Sequence, residues 1–142
     1  MIIKKKLARV LLIDDSESDN FYHERKIKKL GIAEEVIIKY SGEEALAYLQ
    51  TEKSGSFPQP TLIFLDINMP GMNGWEFLEE YEYLDDIYKG EVILTMLSNS
   101  IDTKDRKKAS KFQSVQGFYS KPLMGEYLVE IMNKYFPSYI LN

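Results

Sequence analysis

A chain of 142 residues, 44% of them apolar, carries material for one hydrophobic core and not for two. It has no cysteine, which excludes disulfides, thiolate catalysis and thiolate-bound metals. A net charge of −4 with no dominant basic stretch speaks against nucleic-acid binding through this domain, and no segment approaches the ~18–20 consecutive apolar residues of a membrane helix.

The first six residues, Met1-Ile2-Ile3-Lys4-Lys5-Lys6, have the charge of a signal peptide without its apolar region. Residues 7–13 form a short run rich in Val, Ile and Leu that stops at Asp14-Asp15, so it reads as a buried strand. The expectation is a cytoplasmic single domain over residues 1–142. Its core covers about 7–136, with a short tail at each end and no output domain.

Ser16 is a suitable N-cap, and Glu17 and Asp19 suit the first turn of a helix that runs to about Leu30 and stops at Gly31. Its inner stripe is read as Asn20, His23 or Glu24, Ile27 and Leu30. Residues 36–38 are a second strand. Ser41, with Glu44 three residues on, has the spacing of a capping box, and Ala45, Leu46 and Leu49 face inward. Residues 51–60 hold Ser54, Gly55, Ser56, Pro58 and Pro60 and form a surface connection.

The third strand, Leu62-Ile63-Phe64-Leu65, is apolar at every position, the mark of a strand buried on both faces of a parallel sheet. It ends in a bare carboxylate, Asp66. The loop Met69-Pro70-Gly71-Met72-Asn73-Gly74 leads to a third helix over about 74–83. A fourth strand over 91–97 ends at Ser98-Asn99-Ser100, and a charged helix follows over 101–112. A fifth strand over 115–119 leads to Ser120-Lys121-Pro122, and a last helix spans about 124–136.

Five strands alternating with five helices imply right-handed crossovers and a doubly wound parallel α/β sheet. The (βα)5 count fits the flavodoxin-like strand order 2-1-3-4-5. In that order the carboxyl ends of strands 1, 3, 4 and 5 lie together and carry Asp14, Asp15, Asp66, Ser98 and Lys121. Converging carboxylates repel one another, and a divalent cation relieves the repulsion. Oxygen-only ligands favour a hard ion, with Mg²⁺ the expected one, held by Asp14, Asp15, Asp66 and a backbone carbonyl such as that of Asn68. Beside such an ion Asp66 is placed to attack phosphorus and form an acyl phosphate. Lys121 brings a positive charge from the opposite side, and Ser98 a hydroxyl donor.

Taken together, these residues resemble the receiver domain of two-component response regulators over nearly the whole chain. The matching positions are the Asp14-Asp15 pair, Asp66 with its Met69–Gly74 loop, Ser98 and Lys121-Pro122. The resemblance implies that Asp66 takes a phosphoryl group from a histidine kinase or a histidine phosphotransfer protein. It implies that Asp14 and Asp15 hold Mg²⁺, and that Ser98 and Lys121 bind and sense the phosphoryl group. Phe118 matches the family's rotating switch aromatic, though Phe lacks the hydroxyl of Tyr. A cis Lys121–Pro122 bond, aiming the ammonium at Asp66, is implied as well. Output is expected at the fourth helix, fifth strand and last helix, around Lys107, Lys108, Lys111 and Tyr127. The reader there is a downstream protein or a second copy of the chain.

Other readings are weaker. A phosphate sink or relay intermediate without its own output uses the same site. A flavodoxin-like cofactor binder needs an uncharged phosphate cradle after strand one, where Asp14-Asp15-Ser16-Glu17 stands instead. A haloacid-dehalogenase-type phosphatase carries Asp-x-Asp there, and position 16 is Ser. A pseudo-receiver would lack acceptor, metal or lysine positions that are all filled here. His23 is a packed or surface helix residue on this reading, and the apolar tail 136–141 either joins an output contact or folds back on its own helix.

Overall fold

Every residue of Leu62–Asp66 is buried, as its unbroken apolar run requires of a central strand. The computed structural model describes residues 1–90, 92–100 and 102–141. In chain order the elements are β1 (Ile2–Ile3), β2 (Leu7–Ile13), α1 (Glu17–Leu30), β3 (Ala33–Lys39), α2 (Gly42–Leu49), β4 (Leu62–Asp66) and α3 (Gly74–Glu82). There follow α4 (Asp86–Lys89), β5 (Ile93–Ser98), α5 (Thr103–Ala109), β6 (Val115–Ser120), α6 (Gly125–Tyr135), a 3-10 turn (Pro137–Tyr139) and β7 (Ile140–Leu141).

Five strands pair in parallel in the order β3-β2-β4-β5-β6, which is 2-1-3-4-5 when the five sheet strands alone are numbered. Register places Leu12 beside Phe64, Asp66 beside Leu97 and Ser98 beside Ser120, so the chain reversals after β2, β4, β5 and β6 share one edge. Each sheet face carries its own apolar layer. One joins Leu11, Ile63, Leu65 and Met96 to Ala45, Leu49, Phe77, Leu78 and Ala109. The other joins Val10, Leu12, Phe64 and Leu97 to Ile27, Leu128, Ile131 and Met132.

Local signals placed several boundaries. Ser16 Oγ accepts the Asp19 N–H at 3.2 Å, and Gly31 ends α1 in the left-handed region at φ 66°. Asn73 forms a complete capping box with Glu76. At α2 the expected box is half formed. Ser41 Oγ accepts the Glu44 N–H at 3.1 Å, while the Glu44 carboxylate takes the Tyr40 N–H rather than that of Ser41. Gly74 is required by proximity, since a Cβ there would lie 2.6 Å from the Asp66 carbonyl oxygen.

Other elements differ from the expectation. The second sheet strand covers Ala33–Lys39 rather than three residues, because it pairs along the whole length of β2. The starts expected at 91 and 101 lie outside the described residues. The fourth expected helix is short, Thr103–Ala109, and buries only Ala109. Without an apolar stripe there is little to sustain further turns. The tail folds back. Ile3 pairs with Ile140 and Ile2 with Leu141 in an antiparallel pair, and Phe136 and Ile140 are buried. The two short terminal segments therefore close against each other, a pairing the sequence reading did not include.

Candidate functional site

Asp14 follows β2 directly, Asp66 ends β4, Ser98 ends β5 and Lys121 follows β6. Parallel pairing thus delivers all four to one edge. Carboxylate oxygens of Asp14, Asp15 and Asp66 lie within 4.8 Å of one another. Asp14 and Asp66 are buried, whereas Asp15 is exposed. The Lys121 ammonium sits among carboxylates, 2.7 Å from Asp14 Oδ2, 2.9 Å from Asp19 Oδ2 and 3.1 Å from Asp66 Oδ1. The Lys121–Pro122 bond is cis.

The Asp14 side chain is held from both sides. Its Oδ1 accepts the Ser16 N–H at 2.9 Å and its Oδ2 accepts from Lys121. Its backbone carbonyl accepts from the Asn20 side chain at 2.7 Å. The Ser98 hydroxyl donates to the Ser100 carbonyl at 2.7 Å, and the Lys121 N–H donates to the Ser98 carbonyl at 2.7 Å, tying the ends of β5 and β6. Asn68 is exposed in the loop after β4. Phe118 pairs in register with Met96, is half-buried against the α3–α5 layer, and lies under the Arg106 guanidinium at 5.2 Å.

Electrostatics follow from this crowding. Burial pushes the Asp66 carboxyl up to about 6, and the neighbouring Asp14 charge adds to the rise while Lys121 opposes it. Burial works against the charged form of Lys121, but its bonds to Asp14 and Asp19 and the charges of Asp14 and Asp66 outweigh it and raise its pKa. His23 is buried, and desolvation followed by the Lys121 charge lowers its pKa. Its burial on the inner face of α1 agrees with a packing role. Asp66 Oδ1 is buried, and the Lys121 ammonium 3.1 Å away is its charged partner. Three clustered carboxylates, with no nitrogen or sulfur ligand in the group, fit a hard divalent cation.

Asp19 is the residue that sequence reasoning missed. It was assigned to the first turn of α1 as a dipole partner, yet its carboxylate reaches Lys121, 102 positions away. The only signal available was its place one helical turn after the acidic pair.

The chain matches the family model described as the response regulator receiver domain over residues 10–133. Among characterised relatives, it is 31% identical to the response regulator Rcp1 of a Synechocystis strain over 126 residues, 78% of this chain and 86% of that protein. It is 30% identical to part of the sensor histidine kinase CheAY of Helicobacter pylori, across 88% of this chain and 14% of that protein. Among solved structures, a two-component response regulator from Cytophaga hutchinsonii superposes with TM-score 0.79 at 33% identity, covering 92% of this chain and 97% of the other. The chemotaxis protein CheY4 of Vibrio cholerae gives TM-score 0.72 at 26% identity, covering 90% and 98%. With the family model spanning most of its length and the sheet, helices and acidic edge built as described, this chain belongs to the response regulator receiver family.

Proposed function

We propose that the domain is a phosphorylation-dependent switch of a two-component system or phosphorelay, with Asp66 as acceptor. The observation that carries this reading is the buried Asp66 carboxylate at the end of the central strand, with Lys121 at 3.1 Å and Asp14 and Asp15 beside it. In the reaction an Asp66 oxygen attacks phosphorus of a phosphohistidine on a histidine kinase or phosphotransfer protein. The P–N bond breaks, its electrons return to the imidazole, and an acyl phosphate forms. Asp14, Asp15, Asp66 and the Asn68 carbonyl would hold Mg²⁺, which neutralises charge on the phosphoryl oxygens. Lys121 stabilises the same charge from the β6 side, and the Ser98 hydroxyl exchanges its bond to Ser100 for one to a phosphoryl oxygen. The domain is not a turnover enzyme on this reading, since it catalyses only its own phosphorylation and slow dephosphorylation, in the cytoplasm.

Movement of Ser98 would free space beside α5, into which Phe118 rotates. Rotation gives up the Arg106 contact over the ring, a modest cost that suits a population shift between two packings. The altered surface is α5, β6 and α6, including Lys107, Lys108, Lys111 and Tyr127, read by a downstream protein or by a second copy. Intact-mass measurement after incubation with acetyl phosphate and Mg²⁺ tests the acceptor. One phosphoryl group is expected on the wild type and none on Asp66→Asn, and equal labelling of that variant overturns the assignment. If labelling occurs but amide exchange over 98–135 is unchanged, the domain is a phosphate sink or relay intermediate instead.

A further inference from the structure

The Lys121 ammonium has three protons and three carboxylates around it, of Asp14, Asp19 and Asp66. Two of these have other work. Asp14 and Asp66 belong to the acidic group that fits a cation, and Asp66 is also the proposed acceptor. Asp19 stands outside that group. Its place is fixed independently, because its backbone N–H donates to Ser16 Oγ in the first turn of α1. Its side chain is 38% exposed, whereas that of Lys121 is only 7% exposed. Asp19 therefore closes the solvent side of the lysine, at a groove lined by Ser18, Tyr22, His23, Asn99 and Pro122.

We propose that Asp19 is a positioning residue for Lys121. It is the carboxylate that keeps the ammonium aimed at Asp66 once a cation has drawn on Asp14 and a phosphoryl group has drawn on Asp66. This rests on the phosphoacceptor reading above. Asp14 and Asp19 share the hold on the ammonium, at 2.7 and 2.9 Å. A divalent cation competes for the Asp14 carboxylate and weakens its share, while the Asp19 bond lies outside the reach of that competition. Without Asp19, one ammonium proton faces the open groove, and the lysine head is drawn towards water and away from the phosphoryl oxygen.

A double-mutant cycle tests this. The reaction is labelling by acetyl phosphate at Mg²⁺ saturating for each variant. The Asp66 oxygen–phosphorus bond forms, the phosphorus–oxygen bond to the acetyl group breaks, and acetate leaves with its electrons. Asp19→Asn should slow labelling about tenfold in the wild-type background. In a Lys121→Met background the same substitution should change the rate by less than about twofold, because no ammonium remains to be aimed. Asp19→Glu, which restores the carboxylate, should recover part of the rate. Equal factors in the two backgrounds would overturn the proposal and reduce Asp19 to a general surface charge. Coupling seen in metal-free melting but absent from the labelling rates would also overturn it, as the contact would then be structural only. A wild type that takes no phosphoryl group brings down the acceptor reading and this inference together, whereas a labelled wild type with additive variants brings down the inference alone.

Discussion

The helices that follow β2 and β5 both start at the acidic edge, and they are built in opposite ways. α1 has 14 residues, a side-chain cap at its start, a left-handed glycine at its end, and Asn20, His23 and Ile27 buried beneath it. It also reaches into the site, through Asn20 to the Asp14 carbonyl and through Asp19 to Lys121. α5 has seven residues, buries only Ala109, and carries Lys104, Arg106, Lys107 and Lys108 on its outside. Helical stability in proteins comes mainly from packing an apolar face, so α1 is a fixed wall and α5 is held lightly. A site between a fixed wall and a light one directs any rearrangement to the light side. That supports the α5–β6 side as the part of the proposed output surface that moves.

The most forceful way to break this contrast is to remove the packing under α1. Ile27 is fully buried in the layer with Leu12, Leu128 and Ile131, and Ile27→Ala is expected to cost about 2–4 kcal/mol. Denaturant unfolding measures it. A loss below about 1 kcal/mol would mean that α1 is no better anchored than α5.

The next effect concerns the charge crowded between the two helices. Asp66→Asn should stabilise the metal-free protein at neutral pH by about 1–3 kcal/mol, since the folded carboxyl at about 6 is raised from 3.8. A raised acid binds more protons when folded. Its contribution is fully present below about pH 4 and is lost as pH rises through about 6. Melting midpoints of the wild type should therefore gain on Asp66→Asn as pH is lowered from 7 to 5, and saturating Mg²⁺ should shrink the gap at pH 7. A gap independent of both pH and Mg²⁺ would contradict charge crowding at the edge.

A smaller effect tests the cap. Ser16→Ala removes the acceptor for the Asp19 N–H and should cost about 1 kcal/mol in the same unfolding measurement. At the weak end, Lys107→Ala on the exposed side of α5 should change stability by less than about 0.5 kcal/mol. Amide exchange sharpens the comparison without any mutation. Amides of Thr103–Ala109 are expected to exchange at least about tenfold faster than those in the middle of α1. Equal protection would remove the basis for sending the response to the α5 side.

Much of this molecule could be read from local pattern. Apolar runs gave β2, β4 and β5, Ser16 and Gly31 gave the ends of α1, and strand–helix alternation gave the strand order. Those are properties of residues a few positions apart, where steric and hydrogen-bonding preferences act directly. The acidic edge followed, because parallel strands in a known order must bring the ends of β2, β4, β5 and β6 together. Tertiary structure alone decided the pairing of Ile2–Ile3 with Ile140–Leu141, which joins the two ends of the chain across nearly its whole length. It also decided the bond from Asp19 to Lys121. A two-residue strand has no period to recognise, and a carboxylate in a first helical turn looks the same whether it faces water or a lysine 102 residues later. Such contacts are set by where the sheet carries the chain, and no local preference of either partner announces them.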